Sequence, residues 1–195
     1  MRRLFHLITG LSLVLILAYS DRTKGLLLIL SLFIVTIIIE TIRLHLPVVN
    51  RLFFHYFHSL LRGEEKKKLT GTAYFLGGVL LSILLFDVDI TLFSITILTV
   101  GDPAASTIGE RWGRHRIKGK SLEGSMAFFI STMVMGLILQ RLWPGLPAIV
   151  LIAGAVTGTL TELLSTKIND NLLIPLAAAG VMEGVSFFLN LLHLD

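Results

Sequence analysis

Two polar stretches carry most of the side chains that could do chemistry: GDPAASTIGERWGRHRIKGKSLEGS, residues 101–125, and TELLSTKINDN, residues 161–171. Each holds acids, Asp102 and Glu123 in the first, Glu162 and Asp170 in the second. Two separate carboxylate corners suit a metal–nucleotide site, because Mg²⁺ takes one or two protein carboxylates and shares the phosphates. Arg111, Arg114, Arg116, Lys118 and Lys120 add five cations within ten residues, a counter-charge for phosphate. Ser121, Gly124 and Ser125 follow, and Ala104, Ala105, Ser106, Gly109 and Gly113 are small enough to let a ligand or a neighbouring helix approach the backbone.

Each of these residues also has a structural reading. A basic loop beside a membrane serves as a topology signal or a headgroup contact. Asp102 before Pro103 predicts a break in the apolar run, with Asp102 capping a new helix and Pro103 at its first position. Depth favours function for Asp102, since an acid about ten residues into a span is costly. Asp170 or Asn171 could equally cap the last helix, while Glu162, Ser165 or Thr166, and Asn169 share one helical face by spacing. Arg2, Arg3 and His6 lie on one face of the first helix and form a third group. Glu40 and Arg43 read as an i, i+3 pair, and Glu183 as too deep for phosphate. GKS at 119–121 is no P-loop, because Gly113 to Gly119 encloses five residues where the pattern needs four and no strand is expected before it. His55 and His58, without acidic partners, read as polar-face residues rather than metal ligands.

The elements that must position these groups are membrane helices. The chain is 54% hydrophobic and 15% charged with a mean hydropathy of +0.82, too apolar for one soluble core. Apolar runs of about 17 to 22 residues fall at roughly 4–20, 25–42, 70–86, 91–109, 124–140, 146–163 and 172–193. The expected fold is therefore all-α and polytopic, about seven transmembrane helices in a single membrane-embedded domain over 1–195. Continuous Leu/Ile-rich runs without period-2 alternation argue against a β-barrel. Arg2, Arg3 and Ala18-Tyr19-Ser20 mimic a secretory leader, yet the first run is read as a span. The absence of Cys excludes disulfides and thiolate chemistry.

With seven spans, every Lys and Arg except Arg22, Lys24 and Arg141 falls on the N-terminal side, so the N-terminus and both polar stretches are expected in the cytoplasm. Val48, Val49, Leu52, Phe53, Tyr56, Phe57, Leu60 and Leu61 repeat at helical spacing opposite Asn50, Arg51, His55, His58, Ser59 and Arg62. An interfacial amphipathic helix is predicted over about 47–62, with Phe54 breaking the pattern. GEEKKK, 63–68, reads as a solvated turn that attracts anionic lipid. Gly154-xxx-Gly158 and Gly180-xxx-Gly184 are predicted packing faces.

GDPAASTIGERWG, KSLEGSMAFF and TELLSTKINDNLLIP, with RRLFH at the start and ETIR at 40–43, resemble the CTP-dependent lipid-alcohol kinases. That family includes dolichol kinase, phytol kinase and the CTP-using diacylglycerol kinase, and is related to the phosphatidate cytidylyltransferases. The resemblance covers nearly the whole chain and matches the bare catalytic module. Asn169 stands where an aspartate is common. What the resemblance implies is transfer of the γ-phosphate of CTP to a membrane alcohol with Mg²⁺ as cofactor. Asp102 and Asp170, with Glu123 or Glu162, would hold the metal. Arg3, Arg111, Arg114, Lys118 and Lys120 would neutralise the phosphates, and Ser106, Ser121, Gly124, Ser125 and Asn171 would orient them. His6 or one of the acids Asp102, Glu123 and Asp170 would take the alcohol's proton. A cytidylyltransferase and a small transporter are the alternative readings. The expected partners are lipid, CTP and the bilayer, with no nucleic acid; a homo-oligomer is compatible with the sequence.

Overall fold

The computed structural model describes residues 1–142, 144–165 and 168–192; Thr166 and Lys167 lie outside them. Every predicted apolar run forms one helix. In order the elements are α1 (Arg2–Ala18), α2 (Arg22–His45), α3 (Pro47–Phe57), a 3-10 turn at Gly63–Lys66, α4 (Gly71–Leu85), α5 (Val88–Trp112), a hairpin of β1 (Arg116–Ile117) and β2 (Lys120–Ser121), α6 (Leu122–Leu142), α7 (Ala148–Leu164) and α8 (Asp170–Leu191). Proline marks two of the boundaries: α2 ends before Leu46-Pro47, with Leu46 extended and Pro47 opening α3, and Pro147 precedes α7.

α2, α5, α6 and α8 are long and apolar enough to cross a membrane, and α4 and α7 are shorter apolar helices of 15 and 17 residues. The chain is thus read as an integral membrane protein. Its centre is α5, which packs against α1, α4, α6, α7 and α8 and buries an unbroken run from Ile90 to Thr99. By contrast α2 buries only 17% of its most apolar window and offers the rest to its surroundings.

The predicted break at Asp102-Pro103 does not occur. α5 continues through Pro103 to Trp112, so Asp102 is an interior helical residue and not a cap. Pro103 removes a single N–H from the helical ladder, and the neighbouring helices bury it on a helix whose apolar window is 72% buried. Pro175 in α8 acts similarly: it frees the carbonyl of Asn171, which lies where a Cβ on Gly78 of α4 would come within 2.8 Å. The α7 prediction also changes. That helix stops at Leu164, with Ser165 extended beyond it, and Asn169 is the N-cap of α8, its Oδ1 accepting the Asn171 N–H at 3.1 Å. Glu162, Ser165 and Asn169 therefore share no helical face.

Three further expectations are corrected. α3 ends at Phe57 instead of 62, and the chain turns through His58 and Ser59, both weaker helix formers. Gly154 and Gly158 do pack, against Met182, Ile97 and Phe128, but nothing lies within 4 Å of a Cβ built on Gly184, so the second glycine pair is no packing face. The basic loop is the hairpin β1–β2, pairing Arg116 with Ser121 and Ile117 with Lys120. Its two turn residues, Lys118 and Gly119, have φ of 50° and 91°, the two positive values a type I′ turn requires. A strand does precede GKS, contrary to expectation, but Lys120 and Ser121 form that strand's antiparallel partner and no phosphate-cradling loop separates strand from helix.

Long-range contacts sort the helix ends into two groups. Arg3 pairs with Glu110, joining the start of α1 to the end of α5. Asn171 bonds Gly71, joining α8 to α4, and Lys120 reaches α7 and α8. At the other end Arg22 donates to the carbonyls of Ile83 and Phe86, and the Asp87 N–H donates to Glu183. Both polar stretches thus lie at the end of the bundle that holds the start of α1, while Glu183 is a packing partner at the far end.

Candidate active site

Lys120 organises the acids. Its position on β2 is set by the tight turn before it and by the helix after it, where the Ser121 hydroxyl accepts the Gly124 N–H at 3.1 Å in the manner of a capping serine. The hairpin therefore runs into α6 with no free residue between them. The Lys120 ammonium donates to Asp170 Oδ2 at 2.7 Å and to the backbone carbonyl of Glu162, with Glu162 Oε1 at 3.5 Å. Glu162 is 7% exposed and its second oxygen accepts the Ser125 hydroxyl at 2.9 Å. Asp170, Glu162, Lys120 and Ser125 thus form one half-enclosed cluster assembled from α8, α7, β2 and α6. Burial at low dielectric makes such charges interact more strongly than on an open surface.

Gly124 allows α6 to sit this close to α5. A Cβ there would stand 2.7 Å from the Ala105 carbonyl and 2.9 Å from the Ser121 hydroxyl. Its part in the site is therefore to admit a neighbouring backbone. Ser106 of α5 is half-buried, its hydroxyl turned back to the Pro103 carbonyl at 3.2 Å.

A second grouping forms around His6. The ring meets Phe75 of α4 edge-on at 5.5 Å and is held by the backbone of Leu98. Asp102, Arg2 and Arg62 are the charges that act on it. Its Nε2 is buried and, among the described residues, has no hydrogen-bond partner, an uncommon state for a buried polar atom. Asp102 is half-buried, and among the described residues no protein donor is bonded to its carboxylate.

The remaining predicted residues are placed as follows. Glu123 accepts the N–H groups of Arg114 and His115 at 3.1 and 3.3 Å and pairs with His115 Nδ1 at 2.8 Å, so both of its oxygens fasten the root of the hairpin. Arg111, Arg114 and Lys118 lie on the exposed outside and, among the described residues, form no ion pair; Arg111 stacks on Trp112 at 5.5 Å. Arg3 is tied to Glu110. Asn171 donates to the Gly71 carbonyl at 2.9 Å. Of the predicted cations only Lys120 joins the carboxylate cluster.

Sequence reading passed over Arg62, Phe75 and Glu110 as site neighbours. Spacing contained no signal for Arg62 and Phe75, which reach the site from segments far along the chain, while Glu110, within the first polar stretch and on the same helix as Asp102, is tied to Arg3 of α1. Among the described residues no group of three or more His, Asp and Glu side chains is arranged to hold a metal by protein alone. The donor set nevertheless fits Mg²⁺ bound together with a triphosphate, which needs one or two carboxylates and fills its shell with phosphate and water. Among the described residues Asp102 has no protein donor and Asp170 is bonded by Lys120 alone, and both fit that requirement. Glu123, already fully hydrogen-bonded, does not.

Comparison with known proteins supports the motif resemblance. No family model matches the chain, and no solved structure matches it. The chain is 28% identical over 159 residues to the CTP-dependent diacylglycerol kinase 1 of Schizosaccharomyces pombe, covering 73% of this chain and 72% of that one. It is 36% identical over 100 residues to the CTP-dependent diacylglycerol kinase 1 of Saccharomyces cerevisiae, half of this chain and 34% of that longer protein. An uncharacterised protein of Methanocaldococcus jannaschii, MJ1137, is 34% identical over 146 residues, 72% of this chain and 69% of that one. The chain thus spans about a third of the budding-yeast kinase and about seven-tenths of the other two. With its three motif stretches gathered at one end of a single helical bundle, the chain is similar over much of its length to the CTP-dependent lipid kinases.

Proposed function

We propose that the chain transfers the γ-phosphate of CTP to the hydroxyl of a membrane lipid alcohol, a polyprenol, a phytol-like prenol or a diacylglycerol. Similarity to named lipid kinases supports a phosphotransferase of the lipid-kinase type; the donor, the metal and the class of alcohol are our reading. The observation that carries it is the meeting of Lys120 with Asp170 and Glu162 at the bundle end that also holds His6 and Asp102.

Phosphoryl transfer asks little covalent work of the protein; it needs in-line positioning and positive charge around the moving group. Lys120 supplies charge at the acid cluster, and the exposed Arg111, Arg114 and Lys118 supply it at the mouth. Mg²⁺, when bound with the triphosphate, would use Asp102 and Asp170 and neutralise the phosphate oxygens. Ser125, bonded to Glu162, and Asn171, bonded to Gly71, fix the ends of α6 and α8 against which the phosphates rest. His6, whose Nε2 has no partner among the described residues, takes the proton of the alcohol. In the same reading this end lies at the inner leaflet, which the distribution of Lys and Arg supports, where CTP is available and the lipid hydroxyl sits at headgroup level.

The test is a pair of labels. Purified chain is incubated with Mg²⁺, a panel of lipid alcohols and CTP carrying either a γ-phosphate or a cytosine label. The γ-label is expected in the lipid fraction. Cytosine label in the lipid would make the protein a cytidylyltransferase and overturn the kinase reading, as would the absence of both labels across the panel.

A further inference from the structure

Asn50, Arg51, Phe54 and His55 of α3, with Lys66 of the 3-10 turn, line a cavity of about 330 Å³, within the size range of small-ligand sites. No acid lines it. Its inner wall is rigid. Arg43 is fully buried and uses all its N–H groups, donating to both Glu40 oxygens, to Asn50 Oδ1 at 3.2 Å, and to the carbonyls of Glu65 and Lys68 at 2.9 and 2.7 Å. Asn50 in turn donates to the Lys66 carbonyl at 2.9 Å. Phe54, the residue that breaks the amphipathic pattern, lies beneath the cations of Arg43 and Lys66 at 5.8 and 5.6 Å. At the mouth Arg51, His55 and Lys66 are exposed and, among the described residues, form no ion pair.

The same helix has no buried residue. Val48, Leu52 and Tyr56, one turn apart from one another, are 67, 55 and 69% exposed. They form an apolar edge beside Arg51 and His55. A free anion would need the cations alone; an apolar edge next to a cationic cavity matches a lipid, whose headgroup and chain demand both.

We propose that this cavity seats the phosphate headgroup of an anionic membrane lipid, with its chains along the Val48–Leu52–Tyr56 edge. Arg51 offers its forked donors to the phosphate oxygens and Lys66 a point charge. The site requires only that α3 lie at the membrane surface, whatever reaction the chain performs.

The test uses the full-length chain in phosphatidylcholine bilayers containing spin-labelled phosphatidic acid or spin-labelled phosphatidylcholine, and reads the fraction of label immobilised by protein. The wild type is expected to prefer the anionic lipid. Arg51→Ala/Lys66→Ala is expected to lower that preference by at least about fivefold, while Lys67→Ala/Lys68→Ala, which removes equal charge outside the cavity, keeps it. Equal loss in both variants would reduce the effect to diffuse attraction and overturn the site. Displacement of the labelled lipid by a tenfold excess of inorganic phosphate would make it a free-anion site and overturn the lipid assignment. Because selectivity is read without nucleotide, its failure would leave the phosphotransfer reading intact.

Discussion

Of the five cations in this stretch, Lys120 is the one that the turn before it directs at the acids. Lys120→Ala leaves Asp170 and the buried Glu162 without their cation. The expected outcome is a KM for CTP raised about tenfold or more, some 1.4 kcal/mol, with kcat less affected; unchanged kinetics would remove Lys120 from the nucleotide site. Asp102→Asn keeps the shape of α5 and removes the charge. Turnover is expected to fall about a hundredfold or more with helix content by circular dichroism unchanged, and full activity would leave Asp102 without a metal role. Arg43 belongs to stability. Its five donors are all engaged inside the protein, so Arg43→Met strands the Glu40 carboxylate, which also accepts from the Thr70 N–H and hydroxyl at 3.0 Å. Loss of one partner of a buried pair costs about 3–5 kcal/mol, measurable as a lower unfolding temperature in detergent. The sequence named Glu40 and Arg43 as a local pair. It could not disclose that the pair holds the α3–α4 connection, because those contacts cross 22 to 30 residues.

At the scale of elements, hydropathy located a helix at each of the predicted runs, four of them long and apolar enough to cross a membrane, since long Leu/Ile-rich runs have one solution there. Errors arose where local rules met tertiary packing. Pro103 reads as a break only if α5 is imagined alone; surrounded by five other helices, it is accommodated. The hairpin was legible in hindsight from Lys118-Gly119, but a two-residue strand has no periodicity to read. Helix approach distances are likewise invisible in composition. Gly124→Ala would put a methyl 2.7 Å from the rigid Ala105 carbonyl, forcing α6 away from α5 and carrying Lys120 with it. A stability loss of about 1–3 kcal/mol is expected, together with loss of turnover; a thermal unfolding scan alongside the CTP assay reads both, and an unperturbed variant would mean that α6 yields freely.

Across the whole molecule, the candidate site residues gather at one end because the connections there are polar and the helices between them are not. Residue types and spacing pointed to candidates; which of them touch is set by packing, so Asp170 meets Lys120 across 50 residues without any spacing rule between them. Single-cysteine variants test how this end faces the bilayer, and a chain without native Cys makes them free of background. Glu64→Cys and Lys118→Cys are expected to react with impermeant reagent only after the inner face is exposed, and Asp87→Cys from outside intact cells; the reverse pattern would invert the orientation. One ammonium group ties the hairpin to both α7 and α8. A phosphate that recruits Lys120 must therefore take it from Asp170 and Glu162, leaving two facing anions that attract a replacement cation. Nucleotide and divalent ion would then reinforce each other's affinity by equal factors, so a titration of either ligand should shift with the concentration of the other.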